Sequence, residues 1–510
     1  MSLVTSIPIA LLLCVVIHQL YARKQTRAPS LPSPPGDPIL GHLRYMPDVN
    51  DRDTVFYDWG CKYGDVFQLN VLGKPIVVIN SEKAAMELME KRSAIYSDRP
   101  PMPLFERDGW KDGVVAAKYG PLLTRQRKMF HSPLAKGTMP EYEAVQEQEV
   151  NFLLQGLLDE PHECRRLFRL YTSSILTTLI YGHRIRSFDD AYYKIAEDFD
   201  LMHEAAHPSL LDISPYFEYL PSWFPGAWFI RHIKEMRPKL LYMMRMPLES
   251  VWLELSGKVV EPSYASRNLE ALAKNGKISD RDWWIIEMTS NQLLTGGTDT
   301  SFQTLQWFIV CMLTNPDAQV KAQREIDDVV GRDRLPNFAD QDSLPYVQCI
   351  MHEVMRWQPV VPVGIAHQST AEDIYEGMRI PKGSVMIANP RGVTWDENLY
   401  HNPRQFKPER FLPKPDGAGE NFPVHSIFGW GRRICPGRHL AEANIWLAIA
   451  RILSVFTVTK AKDENGKPIE PVIKWGTGLV RHPEPFVFDM LPRDGNAPLL
   501  IRSANSQKGS

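Results

Sequence analysis

Cys435 is the residue whose surroundings most restrict its chemistry. It lies in Phe428-Gly429-Trp430-Gly431-Arg432-Arg433-Ile434-Cys435-Pro436-Gly437, a glycine-rich loop running into an apolar helix that begins near Gly437. Orphan N–H groups and the positive dipole end of a helix lower the pKa of a thiol placed there. Arg433 adds a neighbouring positive charge, and Gly431 and Gly437 let the backbone approach the sulfur closely. A thiolate so held, with no partner cysteine nearby, suits a single axial bond to iron. Two other fates stay open on the residues alone. One is a buried structural thiol; the other is a nucleophile, although no His/Asn signature accompanies it.

A second constellation is Gly296-Gly297-Thr298-Asp299-Thr300-Ser301, inside the proline-free, mostly apolar stretch Asp280–Leu313 that stops at Asn315-Pro316. These are poor helix formers, and the two glycines alone cost about 2 kcal/mol relative to alanine. Glycine leaves room for a planar group or small ligand against the backbone, and threonine can open the helical ladder. Asp299 beside Thr300 supplies a proton relay; a helix–helix crossing that wants small residues is the alternative. Third, Glu353 and Arg356 are three apart and share a helix face. Their apolar flanks Val354, Met355 and Trp357 predict burial, and a buried pair needs further partners. Pro408-Glu409-Arg410-Phe411 supplies one.

These groups need a large scaffold. The chain has 510 residues, 44% hydrophobic and 23% charged, which excludes disorder, collagen and coiled coil. A net charge of -2 argues against a basic nucleic-acid binder. Six cysteines with no C-x-x-C fit neither a disulfide scaffold nor a zinc module. The stretch 280–313 reads as a helix of roughly 50 Å, enough to cross a domain. Asp65–Asn80 reads as a hairpin turning at Gly73-Lys74, followed by a helix capped by Ser81. Most of 140–335 is helical in period, and no low-complexity linker divides 45–490. The aromatic segment Tyr216–Phe229 fits either a buried connection or a patch at a membrane interface.

Residues 1–22 are uncharged from Ser2 to Ala22 and are followed by Arg23, Lys24 and Arg27. That pattern predicts a transmembrane anchor with the rest of the chain in the cytosol; a cleaved signal peptide fits less well, because bulky Tyr21 occupies the cleavage region. A basic, proline-rich linker is expected over 23–44, a catalytic domain over 45–493 and a flexible tail over 494–510.

The run Phe428–Gly437 matches F-x-x-G-x-R-x-C-x-G at every fixed position and so resembles the cytochrome P450 family of haem-thiolate monooxygenases. Gly296–Ser301 is similar to that family's [AG]-G-x-[DE]-T-[TS], and Glu353, Arg356 and Arg410 to its E-x-x-R and P-E-R-F pair. The segment Tyr119–His131 resembles W-x-x-x-R, with Arg127 at the arginine but Leu123 at the tryptophan. The resemblance covers about 30 to 490 and is strongest to fungal members serving secondary metabolism. It implies a mainly α fold with small β-sheets (α+β), one large helical domain around a buried haem b.

By the same resemblance Cys435 is the proximal iron ligand, Phe428 shields the sulfur, and Arg433, Arg127 and His367 contact the propionates. Thr300 and Asp299 deliver protons, Gly296 and Gly297 make room for dioxygen, and Glu353, Arg356 and Arg410 form a structural clamp. A lipophilic substrate (terpenoid, polyketide or aromatic) is expected between parts of 98–118, 200–235, 291–300, 359–367 and 475–481. No nicotinamide fingerprint is present. NADPH therefore acts only indirectly, through a NADPH–cytochrome P450 reductase, with cytochrome b5 as an additional partner. Arg127, Lys128, Arg432 and Arg438 suggest its docking face, a merely solvated cluster being the alternative. The implied address is the endoplasmic reticulum membrane, single-pass. A haem-thiolate isomerase or dehydratase and a haem-free thiol hydrolase are the competing activities.

Overall fold

The computed structural model describes residues 28–204, 211, 215–256, 261–274, 276–476 and 478–506. Among them the longer helices, in chain order, are α1 Arg52–Tyr63, α2 Pro121–His131, α3 Glu143–Asp159, α4 Cys164–Tyr181, α5 Ala191–Glu204 and α6 Trp228–Leu255. There follow α7 Tyr264–Ala273, α8 Asp280–Thr314, α9 Pro316–Val329, α10 Pro345–Trp357, α11 Arg438–Val455 and α12 Ala497–Ser506.

Helix α8 is the axis of the molecule. Ser279 caps it, its Oγ accepting from Asp282 N at 3.1 Å, and Pro316 prevents its continuation. It packs along α4 and also touches α6, α7, α9, α10 and α11. Its C-terminal half is buried almost throughout, and Trp307 meets a core that includes Trp446 of α11. The helix is unbroken across 296–301. Thr300 Oγ1 donates to Gly296 O at 2.7 Å without opening the ladder.

The larger sheet has the order β1 (Val66–Val71), β2 (Lys74–Ile79), β6 (Val385–Ala388), β3 (His367–Gln368). Strands β1 (Val66–Val71) and β2 (Lys74–Ile79) form an antiparallel hairpin with Val66 opposite Ile79. Its turn is Leu72-Gly73, at φ 50° and 85°, one residue earlier than the sequence suggests. Both central residues need positive φ there, and Asn70 Oδ1 accepts from Gly73 N at 2.8 Å. Ser81 caps the following turn as expected, accepting from Ala84 N. After β3 (His367–Gln368), β4 (Asp373–Tyr375) and β5 (Met378–Ile380) make a separate pair, and β6 (Val385–Ala388) runs parallel to β2. Strands β7 (Phe456–Thr459) and β8 (Asp489–Pro492) pair antiparallel.

Two boundary expectations change. The proline-rich stretch is not a free spacer: Leu31 is buried, Gln68 N donates to Pro32 O at 2.8 Å and Arg379 N to Pro29 O at 2.8 Å. An extended proline segment leaves its carbonyls unpaired, so the sheet can use them. Of the tail expected over 494–510, Ala497–Ser506 forms α12, with Ala497 and Ile501 buried against the domain. Asp494 Oδ1 accepts from Asn496 N and Ala497 N, and the i, i+4 apolar pair gives the helix a face to bury. In the aromatic segment Tyr216, Tyr219 and Trp223 are each 79% exposed, while Phe229 is buried. The expected anchor over 1–22 lies outside the described residues; none of the described helices is long and apolar enough to cross a membrane.

Candidate active site

A cavity of about 860 Å³ lies between the middle of α8, the loop before α11 and the segment 358–367. Cys435, Phe428 and Gly437 line it from one side, and Gly296, Gly297 and Thr300 from another. Cys435 N donates to Phe428 O at 2.6 Å, which closes the loop around the thiol. Helix α11 starts at Arg438 with Gly437 as its cap, so Cys435 stands just outside the helix. Its thiol pKa is raised, not lowered as the sequence suggests. Burial is the larger effect; the Gly437 N–H, Arg127 and Arg438 act the other way. A buried thiol with donors aimed at it gains most from a cation that holds the thiolate.

The two glycines of α8 divide their work. A Cβ on Gly296 would meet nothing within 4 Å, whereas one on Gly297 would lie 2.8 Å from Leu176 Cδ1 of α4. Gly296 thus keeps the cavity open, and Gly297 also serves the helix crossing. Asp299 and Thr300 divide likewise. Thr300 lines the cavity; Asp299 does not, and its buried Oδ1 accepts from Gln303 Nε2 at 3.2 Å on a side that also holds Arg169.

One part of the wall is cationic. Arg433 is buried and donates to Ser97 O, Val114 O and Ala117 O at 2.8, 2.9 and 2.6 Å. Arg127 Nη2 donates to Ile434 O at 2.9 Å, beside the thiol. Arg99, inside the expected range 98–118 but not singled out from the sequence, is buried in the same wall and donates to Val115 O, Ile365 O and Ala366 O. Burial pushes all three arginines down, Arg433 to about 10, and each is pushed further by a neighbouring arginine. Among the described residues none of the three makes an ion pair with a carboxylate. His367 joins them: its Nδ1 lies 2.7 Å from Tyr96 O, and burial, then Arg99, lowers it to about 3. Desolvated, mutually repelling cations want an anion. The donor set fits a planar group that carries carboxylates at one edge and a metal facing a thiol.

Comparison with known proteins agrees with this geometry. A profile described as Cytochrome P450 matches residues 31–490. The chain belongs to the cytochrome P450 family. It is 36% identical to cytochrome P450 monooxygenase 136 of Postia placenta, over 94% of this chain and 92% of that protein. It is 35% identical to cytochrome P450 monooxygenase claR of Ampulloclitocybe clavipes (92% and 88% covered) and 34% identical to cytochrome P450 monooxygenase ppsD of Aspergillus oryzae (92% and 90%). These relatives are fungal, and this chain is a P450 monooxygenase.

Glu353, Arg356 and Arg410 form one buried cluster. Glu353 accepts from Arg356 Nε at 2.7 Å and Arg410 Nε at 3.0 Å, all three fully buried. Arg356 Nη1 reaches Thr394 O and Arg410 Nη1 reaches Glu420. Gly431 differs. It does not line the cavity, and a Cβ there would sit 2.4 Å from Met89 O, so its φ of +54° serves packing against the segment 86–93. Leu123 is buried among apolar side chains and offers no N–H in place of the tryptophan. Of the four cations suggested for docking, Lys128 and Arg432 are exposed, while Arg127 is committed to Ile434.

The lining expected from 98–118, 291–300 and 359–367 is present, as Arg99, Val114, Leu293, Val360, Val361 and Ile365 show. Described residues of 200–235 and 475–481 do not line the cavity. Gln292, inside the expected range 291–300, is not among the residues singled out from the sequence. Its Oε1 accepts from Val114 N, and its Nε2 is buried in the wall without a hydrogen-bond partner. No periodic or motif signal marks such a residue.

Proposed function

We propose that the protein binds haem b through Cys435 and inserts one oxygen atom of O2 into a lipophilic small molecule of the terpenoid, polyketide or aromatic class. Bound haem would supply dioxygen activation, with electron density pushed from a thiolate ligand. The observation that carries the reading is the placing of Cys435 and Thr300 on walls of one cavity whose edge holds Arg99, Arg127, Arg433 and His367.

The chain's own residues have separable tasks. The loop from Phe428 to Gly437 holds the sulfur and excludes water. The arginines and His367 take the carboxylates, with Arg99 offsetting the N–H that Leu123 lacks. Thr300 holds a proton donor at the cavity, and Asp299, one side chain back, replenishes it from the α4 side. Gln292 Nε2 offers a donor to a substrate carbonyl or hydroxyl, and Val360, Val361 and Ile365 accept its apolar body.

NADPH–cytochrome P450 reductase, with cytochrome b5 as an additional donor, is the proposed electron source, docking at Lys128, Arg432 and Arg438. The membrane of the endoplasmic reticulum is the proposed address, held by the segment 1–22 and by Tyr216, Tyr219 and Trp223. Turnover with isotopically labelled dioxygen tests the reading. One labelled atom in the product, dependent on NADPH and reductase, is expected. Turnover without either would make it an isomerase or dehydratase.

A further inference from the structure

A second buried carboxylate is gripped by two arginines, away from the Glu353 cluster. Asp53, on the first turn of α1, is 1% exposed. Its Oδ2 accepts from Arg391 Nε and Arg481 Nη1, each at 3.0 Å, and its Oδ1 from Arg481 Nη2 at 2.8 Å. Both arginines are buried. One carboxylate against two guanidinium groups leaves a positive charge in the interior. Such an arrangement is a weak source of stability compared with apolar packing, so what the arginines hold is the more informative question.

They hold the start of a cavity wall at two points. Arg391 Nη1 donates to Trp357 O at 3.1 Å, and Arg391 follows Pro390, itself a lining residue. The backbone N of Arg481 donates to Val360 O at 2.7 Å, and its carbonyl accepts from Trp307 Nε1 of α8 at 3.3 Å. The wall that begins there, Gln358 to Ile365, has neither helix nor strand. A segment without a ladder takes its position from whatever grips it. None of the three clamp residues lines the cavity.

We propose that Asp53, Arg391 and Arg481 are positioning residues that set where the wall Gln358–Ile365 stands, and so the size of the organic molecule admitted beside the cofactor. Arg481, in the expected lining segment, then acts on specificity from behind the wall. The proposal rests on the cavity being a haem-bearing substrate chamber.

The test uses the full-length holoenzyme and two probes, imidazole and the bulkier 4-phenylimidazole, titrated by the haem spectrum. In Asp53→Asn and in the milder Arg481→Lys, the ratio of the two dissociation constants should change about tenfold, with that of imidazole nearly constant. Amide hydrogen exchange should accelerate over 359–366 and stay unchanged in α10. If Asp53→Asn takes up no haem, Arg481→Lys decides. An unchanged ratio or unchanged wall exchange in Arg481→Lys overturns the proposal. A wild type showing no nitrogen-ligated haem spectrum with either probe would instead remove the chamber reading.

Discussion

At the scale of residues, neighbouring positions in one motif divide their work. Gly296→Ala puts a methyl group into open cavity space, while Gly297→Ala drives one against Leu176. The first should not lower stability, since alanine is the better helix former by about 1 kcal/mol. The second should cost about 1–3 kcal/mol by overpacking, read as opposite shifts in denaturant midpoints. Thr300 faces the cavity and Asp299 does not. Thr300→Ala should keep the thiolate spectrum yet lower product per NADPH at least about tenfold, the electrons appearing as peroxide. Full coupling in that variant would contradict the relay. Cys435, Arg433 and the Gly296–Ser301 run were legible because each sits in a short, dense pattern. Arg99 was not, because its acceptors Val115 and Ile365 lie 16 and 266 residues away.

At the scale of elements, α8 was legible from its ends: Ser279 and Pro316 fix them, and 34 of its 35 residues fall within the Asp280–Leu313 stretch. Short elements were less so. Helix α12 has 10 residues, too few for a periodic signal to outweigh its polar neighbours. Its burial nevertheless predicts that Ile501→Asp destabilises the domain by about 2–5 kcal/mol, seen as a lowered melting temperature. The Glu353 cluster joins α10 to the segment 405–420 through Arg356 and Arg410. Glu353→Gln leaves two guanidinium groups short of a charge and should cost about 3–5 kcal/mol, with loss of bound haem. Retention of wild-type stability would show that the cluster is not the strut its burial implies.

At the scale of the whole molecule, one domain of this size buries titratable groups that make stability depend on pH. His352 is stacked on Phe422 at 4.1 Å, and burial lowers it to about 4. The unfolded chain binds that proton near pH 6.5, the fold only near 4, so stability falls as pH drops through that window. His352→Gln should flatten the acid side of the melting-temperature profile there. The same burial organises the cavity: a thiol on one wall, cations at the edge and a threonine on α8 converge only when the chain is complete. The most direct test of that convergence is the carbon monoxide spectrum of the reduced holoenzyme. The wild type should show the red-shifted Soret band of a thiolate-ligated haem, and Cys435→Ser should lose it. An unshifted band in the wild type, or an unchanged spectrum in Cys435→Ser, would contradict that convergence.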